Sequence, residues 1–476
     1  MNKLFVKKDK LIYMENTLSL NDLLNEELYQ YSNKYAHEYE SDICVVNEVF
    51  LYRIHSAIAI TLFIEKNKIQ LIIMEEPEDS LYPILVDVAR RCNLKLSGVS
   101  NLYRIDKAVR GYISILASTG YLMWRMLVIP YSDKIDTRKG EFAIIRTPAA
   151  RNKLSFLRDV NVKIEQLKDR ETIYNCFGRA RRISWVLKAW IRSYSELRQY
   201  KAMIKECIGI SSALDAFAYY SKRVVHTLLY SYMIDGYFAM REGDTFYTGN
   251  NLDRFAIIEE QTAKRYNIKT VCIPHGLEYG FKLPHCFTCD KFYTTSWQAA
   301  KHLNALYDSE KFIYDEDIAR QMFEVSSTKK EDRSIVFFTE PIEVYVNRRI
   351  IDELLPLMEK EQMQLSIKLH PKDKKSDYAQ YEGRVTFVED LNEAVSYNIC
   401  FSRKSTTLLE AVYNNSVSGA ILTNAKDISV FNTFPSLQDE KIKVFYSVPD
   451  LFEWIKCEGK LRNLANDLSS KLNVVK

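Results

Sequence analysis

A strand that ends in His-Pro, followed about thirty residues later by a second strand and a hydroxyl-rich helix start, constrains the fold of this chain more than any other stretch. Apolar and polar residues alternate from Leu365 to Leu369, which is the period of a β-strand. Pro371 ends this strand because proline cannot donate to a sheet ladder. Ile399 to Phe401 is the second apolar run, and a polar turn over 402–406 leads from it into a helix beginning at Thr407. Two strands therefore direct polar side chains to one edge of a sheet.

The residues at this predicted edge suit a phosphate. In open α/β sheets, ligands bind beyond the carboxyl ends of the strands, and hydroxyls, cations, an imidazole and free helix N–H groups all favour an anion there. Glu410, one helical turn beyond Thr406, is placed to accept a hydrogen bond from a ribose hydroxyl. His-Pro alone and a Ser-Thr helix start alone are common, so the prediction depends on their order and spacing. The candidate donor-binding residues of this stretch are Lys368, His370, Pro371, Ser405, Thr406, Thr407 and Glu410.

Lys-Leu-His-Pro at 368–371, with the strand and Ser-Thr helix start that follow, resembles the C-terminal half of bacterial GT-B glycosyltransferases. The families most similar by motif use CMP- or CDP-activated donors: sialyltransferases, polysialyltransferases, Kdo transferases and teichoic-acid glycerophosphotransferases. In those families the His-Pro histidine and the Ser/Thr pair hold the phosphate and cytidine of the donor. The resemblance implies an α/β fold of the GT-B type, in which two Rossmann-like domains face each other across a cleft. It covers the chain well from about Tyr247 to Asn415.

A second histidine follows a predicted strand in the segment from Tyr247 to Phe292. Residues 250–253 form a helix cap, residues 254–266 a helix, and Lys269 to Ile273 a strand that leads into Pro274-His275-Gly276. A βαβ unit places His275 at the carboxyl edge of the sheet, and Gly276 allows a ligand to approach the backbone closely. The His-Gly pair matches a pair that faces the cleft in the families named above. His275 is therefore the candidate general base for the acceptor hydroxyl, or a donor to the leaving phosphate.

Some cytidine-donor families use a carboxylate as the base, so the assignment of this role stays open between His275 and its acidic neighbours. The local carboxylate candidates are Asp253, Glu259, Glu260 and Glu278. Cys286 and Cys289 follow His285 as a Cys-x-x-Cys pair, but no second pair with zinc-ligand spacing follows. We expect no metal site and no cofactor other than the activated sugar donor.

The C-terminal domain is predicted to begin after a polar linker at 326–333 and to extend to residue 476. Ser334 to Thr339 reads as its first strand, and a long amphipathic helix covers 343–361. Thr339 and Glu340 occupy the first strand-to-helix turn, where many GT-B donors place their phosphate. The turn contains no glycine, so the Thr339 hydroxyl and the following backbone would bind the donor. Further strands later in this domain complete a Rossmann-like pattern of five or six strands.

Residues 1–325 are predicted to form an N-terminal Rossmann-like acceptor domain with a basic helical insertion at about 151–240. Apolar runs at 42–46 and 69–74 alternate with helical patterns, which indicates a parallel sheet. From Arg151 to Cys207 there are fourteen Lys or Arg residues against six Asp or Glu, with aromatic residues among them. This stretch fits contact with an anionic membrane surface or an anionic glycan, and a solvated helical face fits it equally well.

The segment 111–130 has nearly the length of a membrane-spanning helix, but it contains Arg125 and several polar residues, so we predict a buried helix that leads into a strand. The net charge of the 476-residue chain is only +4, and we find no nucleic-acid-binding motif. Nine cysteines, an odd number, fit reduced thiols, and the N-terminus lacks the apolar core of a signal peptide. We expect a cytoplasmic protein, peripheral at the inner face of the plasma membrane.

The resemblance implies a metal-independent, inverting glycosyltransferase of bacterial surface polysaccharide synthesis. It would move sialic acid or a related acidic sugar from a CMP-activated donor to a glycan or lipid-linked glycan acceptor. A CDP-glycerol-type phosphotransferase and a UDP-sugar transferase or epimerase fit the same scaffold. A non-catalytic GT-B-like scaffold subunit is the alternative of another class.

Overall fold

The structure, a computed structural model, describes residues 2–8, 10–14, 16–19, 23, 32–33, 36, 43–77, 81–98, 103–132, 140–155, 157, 162–167, 170–241, 245–250, 252–274, 276–285, 289–323, 334–341 and 344–458. The chain divides into two compact units. The N-terminal unit comprises Met1–His275 and Phe281–Phe292, and the C-terminal unit comprises Gly276–Gly280 and Tyr293–Lys476. The predicted linker at 326–333 lies outside the described residues.

The N-terminal unit begins with a five-stranded mixed sheet. Its strands are β1 (Lys3–Lys8), β2 (Lys10–Tyr13), β3 (Asn16–Ser19), β4 (Leu71–Pro77) and β5 (Lys95–Ser97), in the order β3-β2-β1-β4-β5. The parallel partner of β4 is β1, at the very start of the described chain. The run at 42–46, read as a strand in the sequence, instead leads into a helix that begins at Val46. Leu4 and Val6 are buried while their neighbours are exposed, so β1 carries the alternation that the run at 42–46 lacks.

A second sheet follows within residues 1–325. Its strands are β6 (Phe142–Ile145), β7 (Val162–Leu167), β8 (Arg170–Glu171), β9 (Thr245–Thr248), β10 (Lys269–Cys272), β11 (Lys291–Tyr293) and β12 (Phe312–Ile313). Their order is β12-β11-β10-β9-β6-β7-β8. Strands β7, β6, β9, β10 and β11 run parallel, and β8 is antiparallel to β7. The chain extends this sheet from β6 first in one direction and then in the other, which is the Rossmann-like arrangement.

The helices of the N-terminal unit are long in its middle and short at its ends. They are α1 (Val46–Val49), α2 (His55–Lys66), α3 (Tyr82–Arg91), α4 (Tyr103–Val128), α5 (Pro148–Lys153), α6 (Thr172–Asn175), α7 (Arg179–Cys207), α8 (Ile210–Ser221), α9 (Val224–Phe238) and α10 (Arg254–Arg265), with a π-helical turn at Phe50–Ile54. The predicted insertion at 151–240 is helical from α6 to α9, but it also contains β7 and β8. The predicted buried helix is α4, and its outer face is exposed rather than buried.

The C-terminal unit contains a six-stranded sheet in which every pairing is parallel. Its strands are β13 (Ile335–Phe338), β14 (Ser366–Lys368), β15 (Thr386–Val388), β16 (Ile399–Ser402), β17 (Val417–Ile421) and β18 (Ile442–Phe445). The order β15-β14-β13-β16-β17-β18 is 3-2-1-4-5-6 when the strands are counted within the unit. That order defines the doubly wound Rossmann fold, which confirms the predicted α/β class.

Helices cover both faces of this sheet. The helices of the unit are α11 (Trp297–Tyr307), α12 (Glu316–Met322), α13 (Val344–Lys360), α14 (Leu391–Val395), α15 (Thr407–Tyr413) and α16 (Ala425–Asn432), with 3₁₀ turns at Lys375–Tyr381 and Pro435–Gln438 and a last helix at 448–458. Phe337 and Ile367 are buried in one core cluster with Leu354 of α13, whereas Val336 and Cys400 point into a second cluster. Burial on both faces explains why these strands are continuous apolar runs.

Candidate functional site

Strand order places a polar cluster at the switch point of the C-terminal sheet. The sheet grows from β13 in one direction through β14 and in the other through β16, and ligands of doubly wound folds bind at the carboxyl ends of such strands. Thr339 and Glu340 follow β13, His370 follows β14, and Arg403 and Lys404 follow β16. Because β14 and β16 are separated by one strand, their ends lie about 10 Å apart.

Thr339 is used inside the protein. Its hydroxyl donates to Asp373 Oδ2 at 2.7 Å and accepts from the backbone N–H of His370 at 2.9 Å. Its own N–H donates to the carbonyl of Lys368 at 3.1 Å. The residue is buried and ties the end of β13 to the loop after β14. The hydroxyl that the sequence assigned to the donor phosphate therefore holds the histidine loop in place.

His370 presents one ring nitrogen for a ligand. Its Nδ1 accepts from the backbone N–H of Lys372 at 3.1 Å, so the neutral ring carries its proton on Nε2. Burial lowers the pKa of His370, which keeps the half-buried ring neutral at neutral pH. Pro371 is exposed next to it, and Lys368 is partly exposed with its Nζ donating to the carbonyl of Leu369 at 3.1 Å. The neutral ring therefore has its N–H, a hydrogen-bond donor, at Nε2.

Four charged residues form a buried cluster between the ends of β13 and β16. Arg403 is fully buried and binds Asp427 through two hydrogen bonds, Nε to Oδ2 at 2.6 Å and Nη2 to Oδ1 at 2.7 Å. The Lys404 ammonium also binds Asp427, and the Lys404 N–H donates to Glu340 Oε1 at 3.2 Å. Asn347 accepts from Arg403 and donates to the carbonyl of Glu340 at 2.8 Å. This network fixes the positions of the first residues beyond both central strands.

The charges in this cluster are balanced against each other. Burial alone would raise the pKa of Asp427, but Arg403 and Lys404 hold it below its ordinary value. Burial raises the pKa of Glu340 although Lys404 and Arg403 act against the rise. An anion arriving at this edge would meet Lys404, whose side chain keeps 14% of its surface exposed, while Arg403 stays enclosed.

The start of α15 differs from the prediction of free helix N–H groups. The Thr407 N–H donates to the Ser405 hydroxyl at 3.3 Å, and the N–H groups of Leu408 and Leu409 donate to the carbonyls of Ser405 and Thr406 at 3.2 and 3.0 Å. The tight turn before this seven-residue helix therefore provides hydrogen-bond acceptors for the backbone N–H groups of its first turn. The Thr407 hydroxyl is buried and has no hydrogen-bond partner, and Glu410 is buried.

Glu278, a candidate base, is enclosed in the C-terminal unit. Its carboxylate accepts from the N–H of Thr295 at 2.6 Å, from the Thr295 hydroxyl at 2.8 Å and from the Ser436 hydroxyl at 2.6 Å. The two hydroxyls also lie 2.6 Å from each other. Three contacts among three oxygens need three hydrogens, and two hydroxyls supply only two. Burial raises the pKa of Glu278, which favours the protonated carboxyl that supplies the third.

Asp253, the other assigned carboxylate, caps a helix. It accepts from the N–H groups of Phe255 and Ala256, both at 2.9 Å, and from Arg146 at 2.8 Å. Arg146 follows β6 and also binds the buried Glu259 at 2.9 Å. Burial acts to raise the pKa of Asp253, but Arg146 and the cap donors bring it below its ordinary value. A carboxylate held in this way is a weak proton acceptor.

The remaining candidates in the second sheet are only partly described. His275 lies outside the described residues, as does Cys286. A Cβ added at Gly276 would meet nothing within 4 Å, so the protein itself leaves room beside this backbone. Glu260 is buried on α10.

Metal-ligand geometry is absent from the described ranges, where no three His, Cys, Asp or Glu side chains are grouped to hold an ion. The chain does contain one Asp-x-Asp tripeptide, Asp315-Glu316-Asp317. Its first residue caps α12 by accepting from Ile318 at 3.0 Å, and Glu316 binds Arg320 at 2.8 Å. In this structure the tripeptide starts a helix.

Sequence reasoning missed the residues that organise the cluster, namely Asn347, Asp373, Arg403, Lys404 and Asp427. The signal that was available is local: two consecutive cations directly after a buried strand, where burying a charge requires a partner. The partner Asp427 comes 24 residues after Arg403, so no short motif contains both.

No protein-family model matches the sequence, and no curated protein matches it either. Among solved structures, UDP-N-acetylglucosamine 2-epimerase from Rickettsia bellii is 14% identical, covering 70% of this chain and 96% of the epimerase with a TM-score of 0.35. A putative UDP-N-acetylglucosamine 2-epimerase from Listeria monocytogenes is 11% identical, and the match covers 64% of this chain and 88% of the epimerase with a TM-score of 0.33. The glycosyltransferase SnogD from Streptomyces nogalater is 10% identical, and the match covers 68% of this chain and 96% of SnogD with a TM-score of 0.31. These TM-scores are too low to carry an argument, and the fold rests on the strand orders given above.

Proposed function

We propose that this chain is a GT-B glycosyltransferase that uses a nucleotide-activated sugar, with the nucleotide bound at the carboxyl edge of the C-terminal sheet. The main support is the polar cluster at the switch point of a 3-2-1-4-5-6 parallel sheet. Buried charges are costly, and this cluster places them where doubly wound folds bind their ligands. His370 and Lys404 follow β14 and β16, the strands on either side of β13, so a hydrogen-bond donor and a cation lie at the same edge of the sheet.

The donor is proposed to be a CMP-activated acidic sugar such as sialic acid. The support for CMP is the resemblance of the His-Pro strand and Ser-Thr helix start to cytidine-donor families, and the His370 geometry agrees with a phosphate contact. The acceptor is proposed to be a glycan or lipid-linked glycan of a bacterial surface polysaccharide, bound over the N-terminal unit. The proposal includes proton abstraction by His275, Asp253 or Glu278, binding of the donor around His370, and a reaction that needs no metal ion.

In the proposed reaction a bond forms between the acceptor oxygen and the anomeric carbon, and the bond from that carbon to the donor phosphate oxygen breaks. The acceptor proton passes to His275 or to a carboxylate, and the electron pair leaves with the nucleoside phosphate. The hydrogen-bonding of Asp253 and Glu278 favours His275 as the base. His370 would donate through Nε2 to the phosphate as its negative charge grows, which is electrostatic preorganisation.

A CDP-glycerol-type phosphotransferase or a UDP-sugar enzyme is the second candidate, since the cluster would hold any nucleoside phosphate. A non-catalytic scaffold is the third. Binding of a nucleotide would distinguish the enzymes from the scaffold. The nucleobase of the nucleotide that binds would distinguish the cytidine-donor enzymes from the UDP-sugar enzymes.

The first test is a thermal-shift titration of the full chain with CMP, CDP, UDP, GDP and ADP, because a ligand that binds only the folded state raises Tm. We expect a shift with CMP or CDP and a weakening of about tenfold in His370→Asn, the loss of one hydrogen bond to a charged group. His302→Asn is the matched control, since His302 is an exposed imidazole of the same unit that contacts the carbonyl of Gly280.

A shift with UDP alone would replace the proposed donor class and keep the enzyme. Absence of any shift, together with unchanged glycan output in cells carrying His370→Asn and His275→Asn, would overturn the proposal in favour of a scaffold. Release of CMP from CMP-sialic acid in the presence of a glycan acceptor, lost in both variants, is the result we expect.

A further inference from the structure

Helix α4 is apolar on both of its sides. One side packs inside the N-terminal unit, where Ile115, Leu122 and Met126 are buried. The opposite side faces solvent with large apolar side chains that are 41–65% exposed. These side chains, which we call the apolar face, are Ile105, Val109, Tyr112, Ile113, Leu116, Tyr121, Trp124, Leu127 and Val128, with Tyr131 just beyond the helix.

An exposed face of this extent requires a partner. Soluble proteins rarely leave a long contiguous apolar patch in water, and a helix that is apolar all round is normally covered. From Tyr112 to Tyr131 the sequence has one charged residue, Arg125. These residues extend over roughly 30 Å of helix.

The neighbouring helix α7 packs against α4 and adds to both the apolar and the basic character of this region. Leu187, Ile191 and Tyr194 are exposed on it, and Lys188 and Arg192 are exposed among them. Segments 107–131 and 179–195 together contain eight Lys or Arg residues and no Asp or Glu. Of these, Arg110, Arg179, Arg181, Lys188 and Arg192 are exposed, Arg125 is partly exposed, and Lys107 and Arg182 are buried. Arg110 also binds Asp106 at 2.7 Å.

The positive charge beside the apolar face indicates which kind of partner covers it. A second copy of the chain meeting the same face would bring like charges together, which disfavours a symmetric dimer. An anionic lipid surface offers the opposite charge beside an apolar interior. Tyrosine and tryptophan are the side chains enriched at the membrane–water interface, and Tyr112, Tyr121, Trp124 and Tyr131 lie on the apolar face.

We propose that the apolar face of α4 is a membrane-docking surface that lies in the interface of an anionic phospholipid bilayer, with the basic residues of α7 at the headgroups. Within the described part of the chain no helix is long and apolar enough to cross a membrane, which agrees with a helix that lies on the surface. The apolar part of the contact is placed on α4, outside the 151–207 stretch that the sequence suggested, whereas the basic residues of α7 lie within that stretch. It does not depend on the nucleotide chemistry proposed above.

The test is flotation of the purified full chain with vesicles of phosphatidylcholine, with and without phosphatidylglycerol. We expect binding to the anionic vesicles that weakens at high salt, and a loss of at least about tenfold in the double variant Leu116→Ser/Trp124→Ser. Trp297→Ser is the control, because Trp297 is 56% exposed in the C-terminal unit and outside the proposed surface. Lys188→Gln/Arg192→Gln should weaken binding to anionic vesicles, and Lys441→Gln/Lys443→Gln, which removes the same charge elsewhere, should not.

Trp124 also provides a direct readout of depth. Brominated lipids should quench part of the tryptophan fluorescence of the wild type and less of it in Trp124→Phe, while melting temperatures show that both proteins fold. Flotation without quenching of Trp124 would overturn the proposal, since another surface would then bind. So would failure to float combined with a concentration-dependent dimer that Leu116→Ser/Trp124→Ser dissociates, which would make a second copy the occupant.

Discussion

Replacing Asp427 by asparagine should destabilise the C-terminal unit strongly. Asp427 is fully buried and is the carboxylate partner of both Arg403 and Lys404. The substitution keeps the shape of the side chain but removes its charge. The fully buried Arg403 guanidinium then loses the carboxylate that binds it at two points, and Asn347 at 3.4 Å is a neutral acceptor that cannot balance its charge. Removing one partner of a buried ion pair costs about 3–5 kcal/mol, because the remaining charge is left uncompensated in a low-dielectric interior.

The measurement is native-state hydrogen exchange of the full chain, followed by mass spectrometry on peptides that cover β13 and β16. Exchange as a function of denaturant gives the free energy of opening of this unit without assuming that the whole chain unfolds in two states. Glu359→Gln is the matched control. Glu359 forms a two-point contact with Arg384 at 2.9 and 3.0 Å in the same unit, but both side chains are about half exposed. No measurable change is expected there, since solvent screens the pair.

The double variant Arg403→Met/Asp427→Leu separates charge from packing. If the cost in Asp427→Asn comes from an uncompensated charge, removing both charges should recover a large part of it. Equal destabilisation by Asp427→Asn and Glu359→Gln would refute the reasoning, as would a double variant that is less stable than the single one. Either result would mean that the cluster is solvated.

Three further predictions concern stability. Burial raises the pKa of Glu278 above its ordinary value of 4.5. The protonated carboxyl therefore stabilises the fold below pH 4.5, and this contribution is lost as the pH rises through the folded-state pKa. Glu278→Gln has no carboxyl proton to lose, so this variant should show a smaller fall of Tm with pH above 4.5. Gly98 has φ +88°, and a Cβ there would meet the Met74 carbonyl oxygen at 2.3 Å, so Gly98→Ala should destabilise by about 1–3 kcal/mol in denaturant titration. Gly120→Ala, on a helix with nothing within 4 Å, should instead stabilise by up to about 1 kcal/mol, and the same sign at both sites would contradict the steric argument.

Local patterns determined most of the secondary structure of this protein. The alternation at 365–369 predicted β14, and the acidic residue before the helix at 254–266 predicted the cap made by Asp253. His-Pro after a strand predicted an imidazole at the sheet edge, and His370 lies there. Each of these features depends on residues within a few positions of each other, which is why the sequence alone contains the information.

Only the tertiary structure decided which strands are neighbours and what surrounds each charge. The strand parallel to β4 is β1, about 68 residues earlier in the chain, and not the run predicted at 42–46. The 3-2-1-4-5-6 order brought Arg403 to Asp427 and assigned the Thr339 hydroxyl to the histidine loop. Whether the apolar segment 111–130 is buried or exposed was likewise decided by what packs on it. Hydrophobic periodicity records that a side chain is apolar, but burial is a property of the neighbours that folding brings from distant parts of the chain.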